Sequence, residues 1–90
     1  MIGRHIFYEG RVQNVGFRIT VRHIAKGFDV VGWVKNLDDG RVELQVSGEE
    51  NEVCAFLKAI RESELNSHIK KVDEHEIEAL TNAKGFEITI

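Results

Sequence analysis

Val30-Val31-Gly32-Trp33-Val34-Lys35-Asn36-Leu37-Asp38-Asp39-Gly40-Arg41-Val42-Glu43-Leu44-Gln45-Val46-Ser47-Gly48 reads as two strands and the turn between them. Val42, Leu44 and Val46 alternate strictly with Glu43, Gln45 and Ser47 over Arg41 to Gly48. That period of two puts one side of a strand on a core and the other in solvent. Val30 to Asn36, rich in β-branched residues with one aromatic, supplies the partner. Between them Asp38, Asp39 and Gly40 are hairpin chemistry, because Asp and Gly tolerate the left-handed backbone that tight turns demand.

The pattern changes on both sides of this hairpin. From Glu49 to Glu62 the residues Val53, Phe56, Leu57 and Ile60 fall at helical spacing, and Glu49, Glu50 and Glu52 sit in the first turn, where the helix dipole favours anions. Upstream, Phe17, Val21, Ile24, Ala25 and Phe28 mark one face of a helix over Phe17 to Phe28, with Gly27 as its stop signal. Before it, Arg4 to Gly10 reads as a strand with Ile6 and Tyr8 on one face and His5, Phe7 and Glu9 on the other, and Arg11 to Gly16 reads as a loop. After the second helix come a loop at Ser63 to Ser67, a polar edge-type strand over residues 69–79, and a last alternating strand from Phe86 to Ile90. Strand, helix, strand, strand, helix, strand, plus a short terminal strand, makes two βαβ units joined by a hairpin. The expected class is α+β, a ferredoxin-like α/β sandwich of βαββαβ order. Its mostly antiparallel sheet should have four to five strands, with both helices on one face. Such a fold hosts many functions and names none.

Composition narrows the choice. Ninety residues without a low-complexity tract, a repeat or a proline make one domain, residues 1–90, and leave no length for a second. One cysteine, Cys54, cannot close an internal disulfide, and no Cys/His cluster offers a metal in its place. No signal-peptide pattern and no run of 18 apolar residues is present, so a cytoplasmic protein with no membrane partner is expected. The net charge of −3 is uneven: residues 1–27 carry +4, residues 28–37 balance, residues 38–64 carry −5 and residues 65–90 carry −2. An acidic chain with one short basic segment fits a small anionic ligand better than nucleic acid.

That basic segment contains Gly10-Arg11-Val12-Gln13-Asn14-Val15-Gly16-Phe17-Arg18, placed where a strand ends and a helix begins. The first N–H groups of a helix have no partner within it and bind anions readily. Gly10 and Gly16 let the backbone bend around a ligand, and Asn14 is the non-glycine residue most at ease with positive φ. Arg18 adds a planar guanidinium that can grip two phosphate oxygens at once. By residue type this is an oxyanion cradle.

The same nine residues closely resemble the acylphosphatase signature, and Gly32-Trp33-Val34-Lys35-Asn36 resembles that family's second motif. The likeness continues through Asp39-Gly40-Arg41-Val42-Glu43, Ser67-His68-Ile69 and Phe86-Glu87-Ile88, and so covers essentially the whole chain. It implies hydrolysis of a small-molecule acyl phosphate to a carboxylate and inorganic phosphate by a monomer, with no metal and no organic cofactor. Carried over by position, Arg18 holds the phosphate and Asn36 positions the attacking water. Gln13, Asn14, Val15, Gly16 and Phe17 form the segment whose N–H groups complete the cradle. Asn14 stands where the family usually has glycine, a departure that a left-handed Asn accommodates at modest cost.

Other polar residues have plainer readings. His5, His23, His68 and His75 fall on different elements without metal-ligand spacing, the Asp38–Asp39 pair is turn chemistry, and Cys54 lies near the core face of the second helix. Trp33 is expected to pack on the sheet, and Arg11 and Arg22 to be solvated surface charges. Two further readings use the same residues. One is a non-catalytic anion-binding or regulatory module of ferredoxin-like fold. The other is a portion of a larger maturation enzyme, disfavoured because the chain ends directly after its last strand. Asn36 separates the first of these from the hydrolase, since an anion-binding module has little need of a water-positioning amide opposite its arginine.

Overall fold

The computed structural model describes residues 1–89. Five strands, β1 (Ile2–Gly10), β2 (Val30–Asn36), β3 (Val42–Gly48), β4 (Ile69–Ile77) and β5 (Phe86–Thr89), form one sheet in the order β4-β1-β3-β2-β5. Helix α1 (Phe17–Ala25) links β1 to β2, and α2 (Glu50–Arg61) precedes β4. The pairs β1–β3, β1–β4 and β2–β3 are antiparallel, whereas β2–β5 is parallel. This is the expected ferredoxin-like sandwich with five strands. The hairpin strands β2 and β3 are neighbours, and each helix carries the chain across an intervening strand.

Alternation settles which side of the sheet is buried. Ile6 and Tyr8 of β1, Val34 of β2 and Leu44 and Val46 of β3 point to the helices and are inaccessible to solvent. Val21 of α1 and Val53, Phe56 and Ile60 of α2 close over them in one cluster. Burying a residue of this kind contributes roughly 1.5–3 kcal/mol, so the patterned positions account for the fold's cohesion. The opposite face carries His5, Phe7 and Glu43. The Arg41 guanidinium lies 4.7 Å from the Phe7 ring centre there.

Several boundaries differ from the sequence expectation, each for a local reason. Helix α1 stops at Ala25 rather than Phe28, because the N–H groups of Lys26, Gly27 and Phe28 bond three residues back, to His23, Ile24 and Ala25. That tightening is the usual close of an α-helix. Phe28 still packs, with its ring centre 6.0 Å from that of Phe56. Strand β1 begins at Ile2 rather than Arg4, and β3 at Val42 rather than Arg41. The expected loop at Ser63 to Ser67 is a 3₁₀ turn over Glu64–His68, capped by the Ser63 hydroxyl accepting from Leu65 N–H at 3.1 Å and anchored by buried Leu65. Strand β4 ends at Ile77, short of residue 79, and the chain turns so that Leu80 N–H donates to buried Ser47 Oγ at 2.8 Å. Cys54 is exposed rather than near the core face, because Val53, Phe56 and Ile60 take the inward positions of α2. Of the last expected strand, Ile90 lies outside the described residues.

Candidate active site

Strands β1 and β2 both run antiparallel to β3, which lies between them, so their C-terminal ends emerge at the same end of the sheet. Tyr8 and Asn36 both stand opposite Val42 in register, one on each side of it. Their backbones are therefore separated by two strand spacings, about 10 Å. Both share the helix-facing side with Val42. Tyr8 packs against Phe17, the first residue of α1, with ring centres 5.2 Å apart and ring planes tilted by 54°. Burial, aided by the Glu74 carboxylate, pushes the Tyr8 hydroxyl well above the usual phenol range, which keeps it neutral. This contact holds the start of α1, and with it Arg18, against the end of β1.

The loop between β1 and α1 is held from both sides. At its entry, Gly10 has φ 130 and lies so close to β4 that any side chain would run into the His68 carbonyl. Arg11 N–H donates to that same carbonyl at 2.9 Å. Across the loop, the Gln13 side-chain amide donates to the carbonyls of Leu37 at 2.7 Å and Arg41 at 3.0 Å. Leu37 directly follows Asn36. The Gln13 amide therefore ties the loop to the strand end that carries Asn36, a side-chain role beyond the backbone contribution expected of it.

Asn14 adopts φ 63 and Gly16 φ 74, the two left-handed residues that curl the segment into the helix. Asn14 is the only non-glycine residue with positive φ among the described residues. It supplies the conformation expected where a glycine would otherwise be needed. Gly16 caps α1 without a side-chain hydrogen bond, and the first turn holds no acidic residue. The contrast with α2 is informative, since Glu50 and Glu52 occupy its first turn. The positive end of α2 is met by its own carboxylates, whereas that of α1 is left to whatever anion enters.

Val12, Asn14, Gly16, Phe17, Arg18, Ile19 and Asn36 line one cavity of about 170 Å³. The sequence-derived candidates Asn14, Gly16, Phe17, Arg18 and Asn36 are thus brought together. Gln13 and Val15 lie outside the lining, Gln13 engaged as a tether and Val15 packed against the core. Asn36 Oδ1 is buried and has no hydrogen-bond partner among the described residues. A buried carbonyl oxygen left unpaired costs about 1–3 kcal/mol. Asn36 thus joins the cavity lining while its Oδ1 is closed off from solvent.

Two features had no signal in the sequence, the place of Ile19 and the side-chain role of Gln13. Ile19 joins the cavity wall, and helical periodicity gave it no core role. The Gln13 tether depends on a partner 24 residues away and had no local signal. The histidines stay outside this cavity's lining. Strand pairing does set His5 opposite His75, and His5 Nε2 lies 2.6 Å from the Glu43 carboxylate on the face remote from the helices.

A family model described as Acylphosphatase matches residues 4–88. The acylphosphatase of Bacillus pumilus is 39% identical over 88 residues, covering 98% of each chain. The crystal structure of acylphosphatase from Bacillus subtilis superposes with a TM-score of 0.90 at 37% identity over the full length of both chains. The crystal structure of HypF from T. kodakarensis matches with a TM-score of 0.85 at 32% identity, over 100% of this chain and 12% of that one.

Proposed function

Because this chain belongs to the acylphosphatase family, we propose that it hydrolyses the carboxyl–phosphate bond of small-molecule acyl phosphates through the cavity between α1 and the end of β2. The products are a carboxylate and inorganic phosphate, and the chain's own residues suffice without a metal or organic cofactor. The observation that carries this reading is that Arg18, Asn36 and the left-handed loop at the start of α1 line one small cavity.

In this mechanism the Arg18 guanidinium grips two phosphate oxygens, and the N–H groups at the start of α1 receive the phosphate charge. The Asn36 side-chain amide holds a water molecule so that the water's lone pair faces phosphorus. The water oxygen–phosphorus bond forms as the bond from phosphorus to the carboxyl oxygen breaks, and the carboxylate leaves with the bonding electrons. The water's proton passes to a phosphate oxygen. A carboxylate is a good leaving group, so no general acid is required. A loose phosphoryl transition state depends chiefly on positioning and on stabilising charge. Neutral, buried Tyr8 serves as packing under the cradle and takes no proton. All these groups come from one copy of one domain, which supports action as a monomer. Among the described residues no helix is long and apolar enough to cross a membrane.

The test is hydrolysis of benzoyl phosphate, with inorganic phosphate as competitive inhibitor and EDTA as a metal control. Turnover well above the spontaneous rate and insensitive to EDTA is expected. A rate equal to the spontaneous one would leave only an anion-binding module.

A further inference from the structure

Arg18, Asn36 and the loop deal with the phosphate, yet one wall of their cavity is apolar and faces outward. Ile19, next to Arg18 on α1, lines the cavity and remains 64% exposed. The other apolar lining residues, Val12 and Phe17, are buried in the core and belong to the fold. Ile19 is absent from the residues packed against that core. Its neighbours on the outward side of the helix are Arg22, His23 and Lys26, all exposed and polar. An isolated surface isoleucine would need no explanation. This one sits at the mouth of the cavity that holds the candidate chemistry.

Cavity size says what reaches it. At about 170 Å³ the space falls below the roughly 300–1,000 Å³ of pockets that enclose a drug-sized ligand. It accommodates a phosphoryl group and an attacking water, and an acyl group attached to that phosphate must extend through the mouth. We propose that Ile19 is the residue that sets acyl-side preference, its side chain packing against the acyl group of the bound substrate. Aromatic and branched aliphatic acyl phosphates are then favoured over the acetyl compound, because they remove apolar surface from water on both partners. Acyl groups carrying a charge close to the carbonyl are disfavoured, since that charge would lose hydration beside an alkyl side chain.

The inference rests on the acyl phosphate reading, so its test reads binding apart from turnover. Benzoylphosphonate and acetylphosphonate, whose carbonyl carbon is bonded directly to phosphorus so that the labile bridging oxygen is absent, are titrated calorimetrically into the wild type, Ile19→Ser and Ile19→Leu, with inorganic phosphate in parallel. The wild type should bind benzoylphosphonate more tightly than acetylphosphonate. Ile19→Ser should lose about fivefold or more of its benzoylphosphonate affinity, in line with the discrimination available from a few methylenes. The same variant should lose less for acetylphosphonate and least for phosphate, and Ile19→Leu should keep the preference. Equal affinity of the wild type for the two phosphonates overturns the proposal, as does an equal loss, or none, for all three ligands in Ile19→Ser. Turnover of benzoyl phosphate by the same preparations reports separately on the activity. Selective binding without turnover would uphold the role of Ile19 and refute the hydrolase.

Discussion

Replacing Gln13 by alanine removes a single amide group that makes two hydrogen bonds, to the carbonyls of Leu37 at 2.7 Å and Arg41 at 3.0 Å. Both acceptors keep a backbone partner, because Gly40 N–H donates to Leu37 and Leu37 N–H to Arg41. No buried carbonyl is therefore orphaned, and the loss is that of two neutral bonds at about 1 kcal/mol each, giving a destabilisation of roughly 1–2 kcal/mol. For a domain of this size that lowers Tm by roughly 5–15 °C. The effect on turnover should be larger than stability alone explains, since the tether sets the loop carrying Arg18 against the strand end carrying Asn36. A displacement on the order of 1 Å between reacting groups can cost about a hundredfold, so kcat is expected to fall by about tenfold or more. Inhibition by phosphate, which needs only the loop side of the site, should weaken less. Thermal denaturation by circular dichroism, with benzoyl phosphate kinetics well below the variant's Tm, measures both quantities. Gln13→Glu is the stricter version, because it preserves size but sets a carboxylate acceptor against two carbonyls. A Gln13→Glu protein with wild-type Tm and kcat would show that the side chain merely fills space, and the reasoning would fail.

Arg18→Ala should stay folded and lose nearly all activity, on the order of 3 kcal/mol or more of transition-state stabilisation; retention of half the activity would remove Arg18 as the anchor. Asn36→Ala should lower kcat far more than it weakens phosphate inhibition. It should also hold or raise Tm, since it deletes a buried oxygen without a partner. A parallel fall in activity, inhibition and Tm would instead make Asn36 structural. Asn14→Gly should leave activity near wild type or higher, because glycine reaches the φ of 63 without strain; a large fall would mean that the Asn14 side chain itself takes part. At the hairpin, the Arg41 backbone N–H, helped by the Arg41 guanidinium, holds the Asp39 carboxyl below the usual carboxylate range. A depressed folded pKa contributes stability above the ordinary carboxylate value and loses it as pH falls through the folded value. The Tm difference between wild type and Asp39→Asn should therefore be constant near neutrality and shrink in acid, which thermal melts across that range will reveal.

Much of this architecture was legible because it repeats. The alternation of Val42, Leu44 and Val46 and the spacing of Val53, Phe56 and Ile60 are signals written within a few residues, and each became the buried face expected of it. Element ends were less legible. The close of α1 was decided by hydrogen bonds three residues back, and that of β4 by the Ser47 hydroxyl capturing Leu80 N–H. The 3₁₀ turn at Glu64–His68 is too short to show a period, and only its Ser63 cap and buried Leu65 define it. Cys54 shows the limit of adjacency, since the next residue on a helix turns by about 100° and left the thiol in solvent beside buried Val53.

For the site, residue type alone marked the loop from Gly10 to Arg18 as an anion cradle, and a left-handed Asn14 followed from the tolerance of asparagine for positive φ. These properties belong to the local chain. What tertiary structure decided is the partnership across it. Asn36 meets Arg18 because β3 pairs on both edges, setting Tyr8 and Asn36 on either side of Val42 and sending the ends of β1 and β2 out together. Gln13 reaches Leu37 and Arg41 for the same reason, and Ile19 acquires a role only by lying on that shared wall. Periodicity specifies which face of an element is buried. Which strand lies beside it is a long-range pairing choice, and that choice is what turned a loop and an asparagine 18 residues apart into one cavity.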